Sequence, residues 1–499
     1  MLKLNTDLKK ARSAGFLSSF ICLISFALAL VFLLIDCNSV SASPLPLAGV
    51  HPLPAFARKY SMPCSACHDS WPRLSPFGQA FKDNGYQLMN DRDSPIYSNP
   101  GYWPVTFRIT PNWHAERTNR VLVDGTGGPN SAEAGISTQG FDWSGLDFHT
   151  AGTLAKNFSF YVLPSSDSTG AFHFEAVWAR VDNIYGNSWF NIKLGKFELD
   201  NLLSEKRILT LSNTGGVYQN YHFQPLVSPG NPANPGPLTE NYTVGIGDNQ
   251  VGIEWMGHSK DDHTRISASL LNSNDGNPSF GSNNGSGGII TGKAYDGYFA
   301  ASQAFQVGDF GLQRVGGFAY VGESPTTCKF TNTTTPTSGP AVTTCIDGTG
   351  TGNKLFYRAG LIGQFFIKKF DVTAMYFHGW DDAHLGTNTP ANQSLPTGAQ
   401  APAWNGALVE PHYTVNPRFV AIGRYEAIRM STQAMSSNPS NFGNMDVGTI
   451  GYRFYPFISS RAGFAFHNEF SILRQRGAAP ISGNDLATGS VLVGFDFDF

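Results

Sequence analysis

The sequence SVLVGFDFDF, residues 490 to 499, decides the fold because its side chains alternate in character. Val491, Val493, Phe495, Phe497 and Phe499 fall on one face of an extended chain, and most residues of the other face are small or acidic. Alternation with a period of two residues is typical of a β-strand with one apolar and one wet face. We therefore predict an amphipathic strand that runs to Phe499.

The same alternation recurs in SWFNIKLGKF (188–197), AFHFEAVWAR (171–180) and RAGFAFHNEFSIL (461–473). In the second of these, Phe172, Phe174 and Trp178 are predicted to face away from His173 and Glu175. The predicted inner faces carry His149, His173, Glu175, Lys193, Arg461, His467 and Glu469. A water-filled interior would supply polar residues in any case, so none of these residues is predicted as a metal ligand.

The predicted connections alternate between short and long. Short turns are expected at 155–157, 185–188, 258–262, 306–309, 368–369, 416–417 and 456–460. Long loops rich in Gly, Asn, Ser and Pro are expected at 115–141, 199–247, 273–290, 322–353 and 381–403. This order is typical of outer-membrane barrels, in which periplasmic turns are short, external loops are long and the strand number is even. About sixteen strands fit the order, with both ends of the barrel sequence in the periplasm.

Composition favours a barrel over a soluble sandwich. Charged residues make up 14% of the chain, against about 25% in ordinary domains, and there are 38 Phe and 18 Tyr. A sheet survives in lipid only when it closes. The predicted fold class is therefore all-β, a transmembrane antiparallel β-barrel over residues 104–499, with a sandwich as the alternative. The net charge of -3, without basic runs, argues against nucleic acid as a partner.

Residues 1–42 have the pattern of a secretory signal peptide. A basic stretch ends at Arg12, an apolar run extends from Gly15 to Ile35, and Val40-Ser41-Ala42 offers a cleavage site. An uncleaved anchor is the alternative, because the apolar run is long enough to span a bilayer. We predict that the rest of the chain is exported and placed in the outer membrane of a Gram-negative bacterium.

The sequence Cys64-Ser65-Ala66-Cys67-His68 matches the C-x-x-C-H pattern of haem c attachment. Two thiols at this spacing can add to the two vinyl groups of one haem, and the adjacent imidazole can bind the iron. A thioredoxin-like redox pair, a structural disulfide and half of a zinc site are the alternatives. The redox pair lacks a βαβ context and zinc lacks two further nearby ligands. We predict one covalent haem c on Cys64, Cys67 and His68.

The sixth ligand of the haem iron is not determined by this pattern. Met89 is favoured, Met62 lies close to the attachment site, and His51 and His114 are further candidates. An open or water-bound iron is the alternative. The choice matters because methionine ligation raises the haem potential.

Residues 43–103 are too few for an independent domain with a large core. We predict that this monohaem cytochrome c segment forms a plug at the periplasmic mouth or in the lumen, because a sixteen-stranded barrel leaves an aqueous channel. Its apolar residues are then expected to pack on the haem, on the barrel wall or on both: Phe56, Trp71, Leu74, Phe77, Phe81 and Tyr86.

Cys328 and Cys345 lie in one predicted external loop that has no core of its own. In an oxidising compartment we expect a disulfide between them, which would stabilise the fold by about 3 kcal/mol on the chain-entropy model. A metal or redox role for the pair is the alternative.

The string PAFARKYSMPCSACHDSWPRLSPFGQAFKDNGY (54–86), followed by a barrel, resembles the fused cytochrome-porins of the bacterial outer membrane. The resemblance rests on Pro54-Ala55-Phe56-Ala57-Arg58, the haem motif, Pro72, Leu74, Phe77-Gly78, Phe81-Lys82 and Gly85-Tyr86. It implies a haem that takes an electron from extracellular Fe(II) and passes it to a periplasmic c-type cytochrome. A passive porin with an accessory cytochrome and electron export to an external acceptor are the alternatives.

Overall fold

The structure is a computed structural model. It describes residues 56, 60, 62, 64–70, 73–86, 105–122, 133–166, 170–199, 249–272, 295–325, 331–334, 342–345, 353–387, 389, 394–416, 418–433, 444–458, 463–476 and 486–498. Several predictions from the sequence lie outside these residues, namely the signal peptide and the roles of His51, Trp71, Met89, Cys328, Arg461 and Phe499.

Sixteen strands form one closed antiparallel barrel, which confirms the predicted fold class and strand number. The strands are β3 (Val105–Leu122), β4 (Glu133–Ala155), β5 (Phe158–Ser166), β6 (Phe172–Val181), β7 (Asn191–Glu198), β8 (Asn249–His258), β9 (Thr264–Asn272), β10 (Tyr295–Gln306), β11 (Leu312–Pro325), β14 (Asn353–Ile367), β15 (Phe370–Asp381), β16 (Ala403–Asn416), β17 (Phe419–Thr432), β18 (Asn444–Ile458), β19 (Gly463–Arg476) and β20 (Leu486–Asp498). Neighbours in sequence pair, and β20 pairs with β3 to close the sheet.

Two small groups of elements accompany the barrel. Before it come α1 (Cys64–Cys67), β1 (His68–Ser70), β2 (Arg73–Leu74) and α2 (Pro76–Asp83), of which β1 and β2 pair with each other. Between β11 and β14, β12 (Thr331–Thr334) and β13 (Val342–Cys345) form a separate hairpin. Short helical turns cover Ile184–Gly186, Gly308–Phe310 and α3 (Ala383–Gly386). Within the described residues, every helix is too short or too polar to span a bilayer.

Most predicted short turns are confirmed, and one long loop is shorter than predicted. The turns at 155–157, 368–369 and 416–417 fall between the ends of consecutive strands. The loop expected at 115–141 is wrong at both borders, since β3 continues to Leu122 and β4 begins at Glu133. These polar residues stay in the sheet because ladder pairing satisfies their backbone groups whatever their side chains. The loop expected at 322–353 likewise contains the β12–β13 hairpin.

The outward side chains of the barrel are apolar and exposed. Leu194, Leu361 and Ile450 have 60%, 67% and 66% of their surface exposed. Soluble monomers rarely expose apolar surface that continues from strand to strand, whereas a barrel in lipid requires it. Other exposed members lie on β14 itself and on seven further strands: Leu355, Phe299, Val321, Tyr376, Val409, Tyr425, Phe470 and Phe495.

The predicted faces are confirmed on β7 and β19. Lys193, His467 and Glu469 are buried on the inner face, while the apolar residues that flank them are exposed, namely Ile192, Leu194, Phe466 and Phe470. His149 is half-buried and makes a hydrogen bond to the buried Tyr161. His173, also predicted to face inward, is exposed.

The predicted face of Trp178 is wrong because β6 contains a bulge. Leu163 lies opposite Ala176, but the next residue of β5, Pro164, lies opposite Phe174, so the register of the two strands shifts by one residue at Glu175. One extra residue moves the following side chains to the opposite face. Trp178 is therefore buried on the inner face, whereas Phe172 and Phe174 are exposed.

The inner wall of β15 to β20 carries buried ion pairs, which we call the ion belt. His412 contacts Asp371 through Nδ1 and Glu410 through Nε2, at 2.7 Å in each case. Arg453 lies 3.3 Å from Asp496, and its Nε donates to His467 Nδ1 at 2.7 Å. Such groups are tolerated in the interior because they are paired. The belt comprises Asp371, Glu410, His412, Arg424, Glu426, Arg453, His467, Glu469 and Asp496.

Candidate functional site

The C-x-x-C-H sequence forms a compact turn that Ser75 stabilises. α1 places positions 64 and 67 on the same side of one helical turn, because residues three apart share a helix face. The Ser75 hydroxyl donates to the Ala66 carbonyl at 3.1 Å, and the Ser75 amide donates to the Cys67 carbonyl at 2.9 Å. Ser75 is also the N-cap of α2, accepting from the Gly78 amide at 3.1 Å. One residue thus ties the haem motif to α2.

α2 approaches the haem motif so closely that only glycine fits at position 78. A Cβ atom there would lie 2.1 Å from the Cys67 carbonyl oxygen, which belongs to the backbone and cannot rotate away. Gly85, beyond the helix, has φ +74°, a conformation that favours glycine. The Phe77-Gly78 and Gly85-Tyr86 pairs noted in the sequence therefore have steric roles.

Gly78→Ala is expected to separate α2 from the haem motif. The clash with the Cys67 carbonyl should cost about 1–3 kcal/mol, as overpacking of a tight contact does. Limited proteolysis of the full chain in detergent should then cleave the segment between α1 and α2 faster than in the wild type. Gly448→Ala is the matched control, since a Cβ on Gly448 meets nothing within 4 Å. Equal protection of both variants would contradict the close approach.

Aromatic rings join α2 to the barrel wall. The Phe56 ring stacks on Tyr86 with centroids 5.0 Å apart and meets Phe81 edge-on at 5.0 Å. Tyr86 in turn stacks on Trp178 of β6 at 6.1 Å. These contacts confirm packing on the barrel wall for Tyr86, whereas Phe56 and Phe81 pack on Tyr86 within the segment and Phe77 is 37% exposed.

Ion pairs hold α2 against the inner wall. Asp83 Oδ2 lies 2.7 Å from an Arg265 Nη2 atom of β9, and both side chains are 3% exposed. Arg180 of β6 donates to the carbonyls of Lys82 and Asp83 at 2.8 and 3.2 Å, which places a cation at the helix C-terminus. Lys82 Nζ lies 2.8 Å from Glu198 of β7. The segment is therefore docked to three wall strands, β6, β7 and β9.

The charge of Asp83 is maintained by its surroundings. Burial alone would raise its pKa, but Arg265, His258, Lys82 and Arg180 outweigh burial and lower the pKa from 3.8 to about 2. A carboxyl with a lowered pKa stabilises the folded state above its unfolded pKa and loses that effect as the pH falls through its folded pKa. The Asp83 contribution to docking is thus complete above about pH 4 and disappears near pH 2.

Asp262 lies in the turn after β8 and shares Arg265 with Asp83. Burial, together with the Asp83 carboxylate, raises the pKa of Asp262 to about 6, although Arg265 and Arg314 oppose the change. Arg265 Nε lies 3.6 Å from Asp262 Oδ1. Two carboxyl groups around one guanidinium give the docking contact a net charge that depends on pH.

A cavity of about 40 Å³ separates the start of α2 from the wall. It has room for water-sized groups only, so it is not a place for a large cofactor. Its polar lining comes from Ser75, Gln79, Asp262, Arg265, Arg314 and Gln364.

The residues of the turn suit a covalent haem. The donor set is two cysteines on one side of a helical turn and a histidine directly after it, with Cys67 and His68 half-buried. In the described part of the chain, no three His, Cys, Asp or Glu residues are grouped so that they could hold a metal ion. Of the other predicted ligands, His114 lies in β3, with Nε2 4.0 Å from Glu116.

Sequence reasoning missed the wall residues that receive α2. Arg180, Glu198 and Arg265 belong to strands far from the haem motif in sequence, and no spacing pattern links them to it. The only signal in the sequence for these residues was an arginine at an inward-facing strand position, because such a charge inside a protein needs a partner.

The geometry defines a closed sixteen-stranded β-barrel in which α2, the helix that packs on the C-x-x-C-H turn, is docked on the inner wall. In the comparison with known proteins, no family model matches the chain and no curated protein matches it.

Solved structures with similar folds are outer-membrane barrels. A loop-deletion variant of OmpT, an outer membrane protein of Vibrio cholerae, is 11% identical, with 79% of this chain and 99% of that chain covered and a TM-score of 0.44. An anion-selective porin from Comamonas acidovorans gives the same four values. The outer membrane channel DcaP of Acinetobacter baumannii is 9% identical, with 79% and 97% covered and a TM-score of 0.42. Similarity at this level carries no argument about what the present chain binds or transports.

Proposed function

We propose that this protein is an outer-membrane barrel that carries one covalent haem c on a docked segment and transfers electrons through it. The observation that supports the proposal is the position of the C-x-x-C-H turn: α2 packs directly on Cys67 and is ion-paired to the inner wall. A cofactor on this turn would be held by the barrel and not released into the periplasm.

The chain supplies attachment, ligation and position. The thiols of Cys64 and Cys67 would form the two thioether bonds, His68 would bind the iron, and Met89 is the proposed sixth ligand. When bound, the haem supplies one-electron chemistry. The proposed donor is extracellular Fe(II), which loses one electron to become Fe(III), and the proposed acceptor is a periplasmic c-type cytochrome. The outer wall would contact membrane lipid, and an external disulfide would join Cys328 to Cys345.

Stopped-flow absorbance tests this proposal. Purified, oxidised protein in detergent is mixed with Fe(II), and the haem bands are expected to show stoichiometric reduction. Mn(II), at the same concentration, controls for spectral changes caused by cation binding alone. Reduction by dithionite without reduction by Fe(II) would exclude Fe(II) as the donor and favour electron export.

A solute channel is the second candidate, and the sixteen-stranded barrel supports it more directly than it supports electron transfer. Barrels of this strand number leave an aqueous lumen. Planar-bilayer recordings of the full chain separate the two functions. A large, steady conductance that is equal with and without haem would favour the channel, whereas a closed barrel with reducible haem would favour electron transfer.

A further inference from the structure

The contact between α2 and the wall contains a series of buried aromatic rings, which we call the aromatic column and define as Tyr86, Trp178 and Tyr161. Tyr86 and Trp178 are stacked with an interplanar angle of 17°, and Trp178 lies 5.9 Å from Tyr161. The three side chains are 6%, 6% and 8% exposed. The column therefore extends from the haem-motif segment into β5 through residues that can each lose one electron.

The column ends at Tyr161, whose hydroxyl is hydrogen-bonded to a histidine that can accept its proton. The Tyr161 hydroxyl lies 2.9 Å from His149 Nδ1. On the other side of the ring, His149 Nε2 lies 4.0 Å from Asp147 Oδ2. A carboxylate at this distance stabilises the imidazolium that forms when His149 takes a proton. Tyr161 can thus give up its phenolic proton in place.

Two cations make Trp178 an unfavourable place for positive charge. The Arg180 guanidinium carbon is 5.4 Å from the indole centroid, and Lys193 Nζ is 5.5 Å from it. These cations attract the neutral ring and repel a ring that has lost an electron, and each is also paired with a buried carboxylate, Arg180 with Asp182 and Lys193 with Glu254, which reduces this repulsion. An oxidised Trp178 would therefore take an electron from Tyr161, whose product is neutral once its proton has moved to His149.

We propose that Tyr161 is a redox-active residue that donates an electron, through Trp178 and Tyr86, to the haem-motif segment when an oxidising radical has acted there, with His149 as the proton acceptor. The inference rests on the proposed function for its biological setting. By this route Tyr161 reduces the segment after an oxidising radical, such as a radical derived from peroxide, has removed an electron from it.

The step transfers one electron and one proton. The oxidising radical gains one electron, and Tyr161 loses one. The phenolic O–H bond breaks and an N–H bond forms at His149 Nδ1, which leaves a neutral phenoxyl radical beside an imidazolium. A one-electron donor such as Fe(II) reverses the step, because its electron and the proton on His149 together restore the phenol.

Pulse radiolysis with azidyl radicals tests the relay on the full-length chain, folded in detergent without haem. Azidyl oxidises tryptophan first, so absorbance follows the decay of the indolyl radical into phenoxyl radical, and freeze-quench EPR identifies the phenoxyl product. Tyr161→Phe is expected to remove the fast, concentration-independent phase of this transfer. Trp178→Phe is expected to slow the formation of the phenoxyl radical. Tyr425→Phe is the matched control, because the hydroxyl of this tyrosine is hydrogen-bonded to a different proton acceptor, the Asp446 carboxylate, and its side chain lies on the exposed face.

Transfer in Tyr161→Phe with the yield and rate of the wild type would overturn the proposal. A measurement on unmodified protein guards against misfolded variants: the wild type in D₂O should transfer more slowly, since an O–H bond breaks, and the absence of an isotope effect would overturn the proton step. His149→Gln should slow the same phase. Because the test needs no haem, a positive relay in a chain that never carries haem would contradict only the proposed function.

Discussion

Cys64→Ser combined with Cys67→Ser is expected to leave the chain without covalent haem while the barrel still assembles. Serine cannot form the thioether bonds of a haem c, but it is close to cysteine in size. The contact that α2 makes here is with the Cys67 backbone carbonyl, which serine keeps. Haem staining of the denatured protein after electrophoresis measures the loss.

Cys345→Ser is the matched control, because Cys345 ends β13 in the separate hairpin. We expect it to retain full haem staining. Staining that survives the double change would mean that the haem is attached elsewhere or not covalently. A wild-type chain without any staining, after expression with haem attachment machinery, would contradict electron transfer and leave the solute channel.

Asp83→Asn and Arg265→Gln are each expected to release α2 from the wall. Each change breaks the buried pair of Asp83 and Arg265 by removing one charge, which costs up to about 3–5 kcal/mol, less the part that Asp262 still supplies to Arg265 or that Lys82 and Arg180 still supply to Asp83. The α2 segment should become sensitive to low protease concentrations. If the docked segment obstructs the lumen, the same variants should also raise conductance in planar bilayers.

Two control experiments test whether the ion pair itself holds α2 on the wall. The double variant should recover part of the protection, because it leaves neither charge alone, and the resulting cycle isolates the pair's coupling. Asp446→Asn breaks a partly exposed pair with Arg429, which should cost no more than about 1 kcal/mol. Full protection of both single variants would show that the ion pair does not determine docking.

The sequence predicts the barrel where alternation is uninterrupted. On β7, β19 and β20 each residue meets either the outside or the lumen, so a pattern of period two carries the fold directly. The pattern fails at β6, because a bulge at Glu175 is a property of the pairing between two strands and leaves no mark in one of them. It fails also at the end of β3, where polar residues continue the ladder.

The candidate site likewise has one part that the sequence predicts and one part that it does not. The haem motif is local, so five consecutive residues predict the attachment chemistry. The docking contacts are not local: Arg180 and Lys82 are 98 positions apart, and Lys82 and Glu198 are 116 apart. Tyr161 and His149 are closer in sequence, but their hydrogen bond depends on the register of β4 with β5.

The seam between β3 and β20 joins the two ends of the barrel sequence. It pairs residues as distant as Arg108 and Asp498, so it is the last pairing that a growing chain can complete and among the slowest to form. The ion pairs and hydrogen bonds described above join α2 to β6, β7 and β9, which lie between the two seam strands in the sequence. These docking contacts can therefore form before the barrel closes.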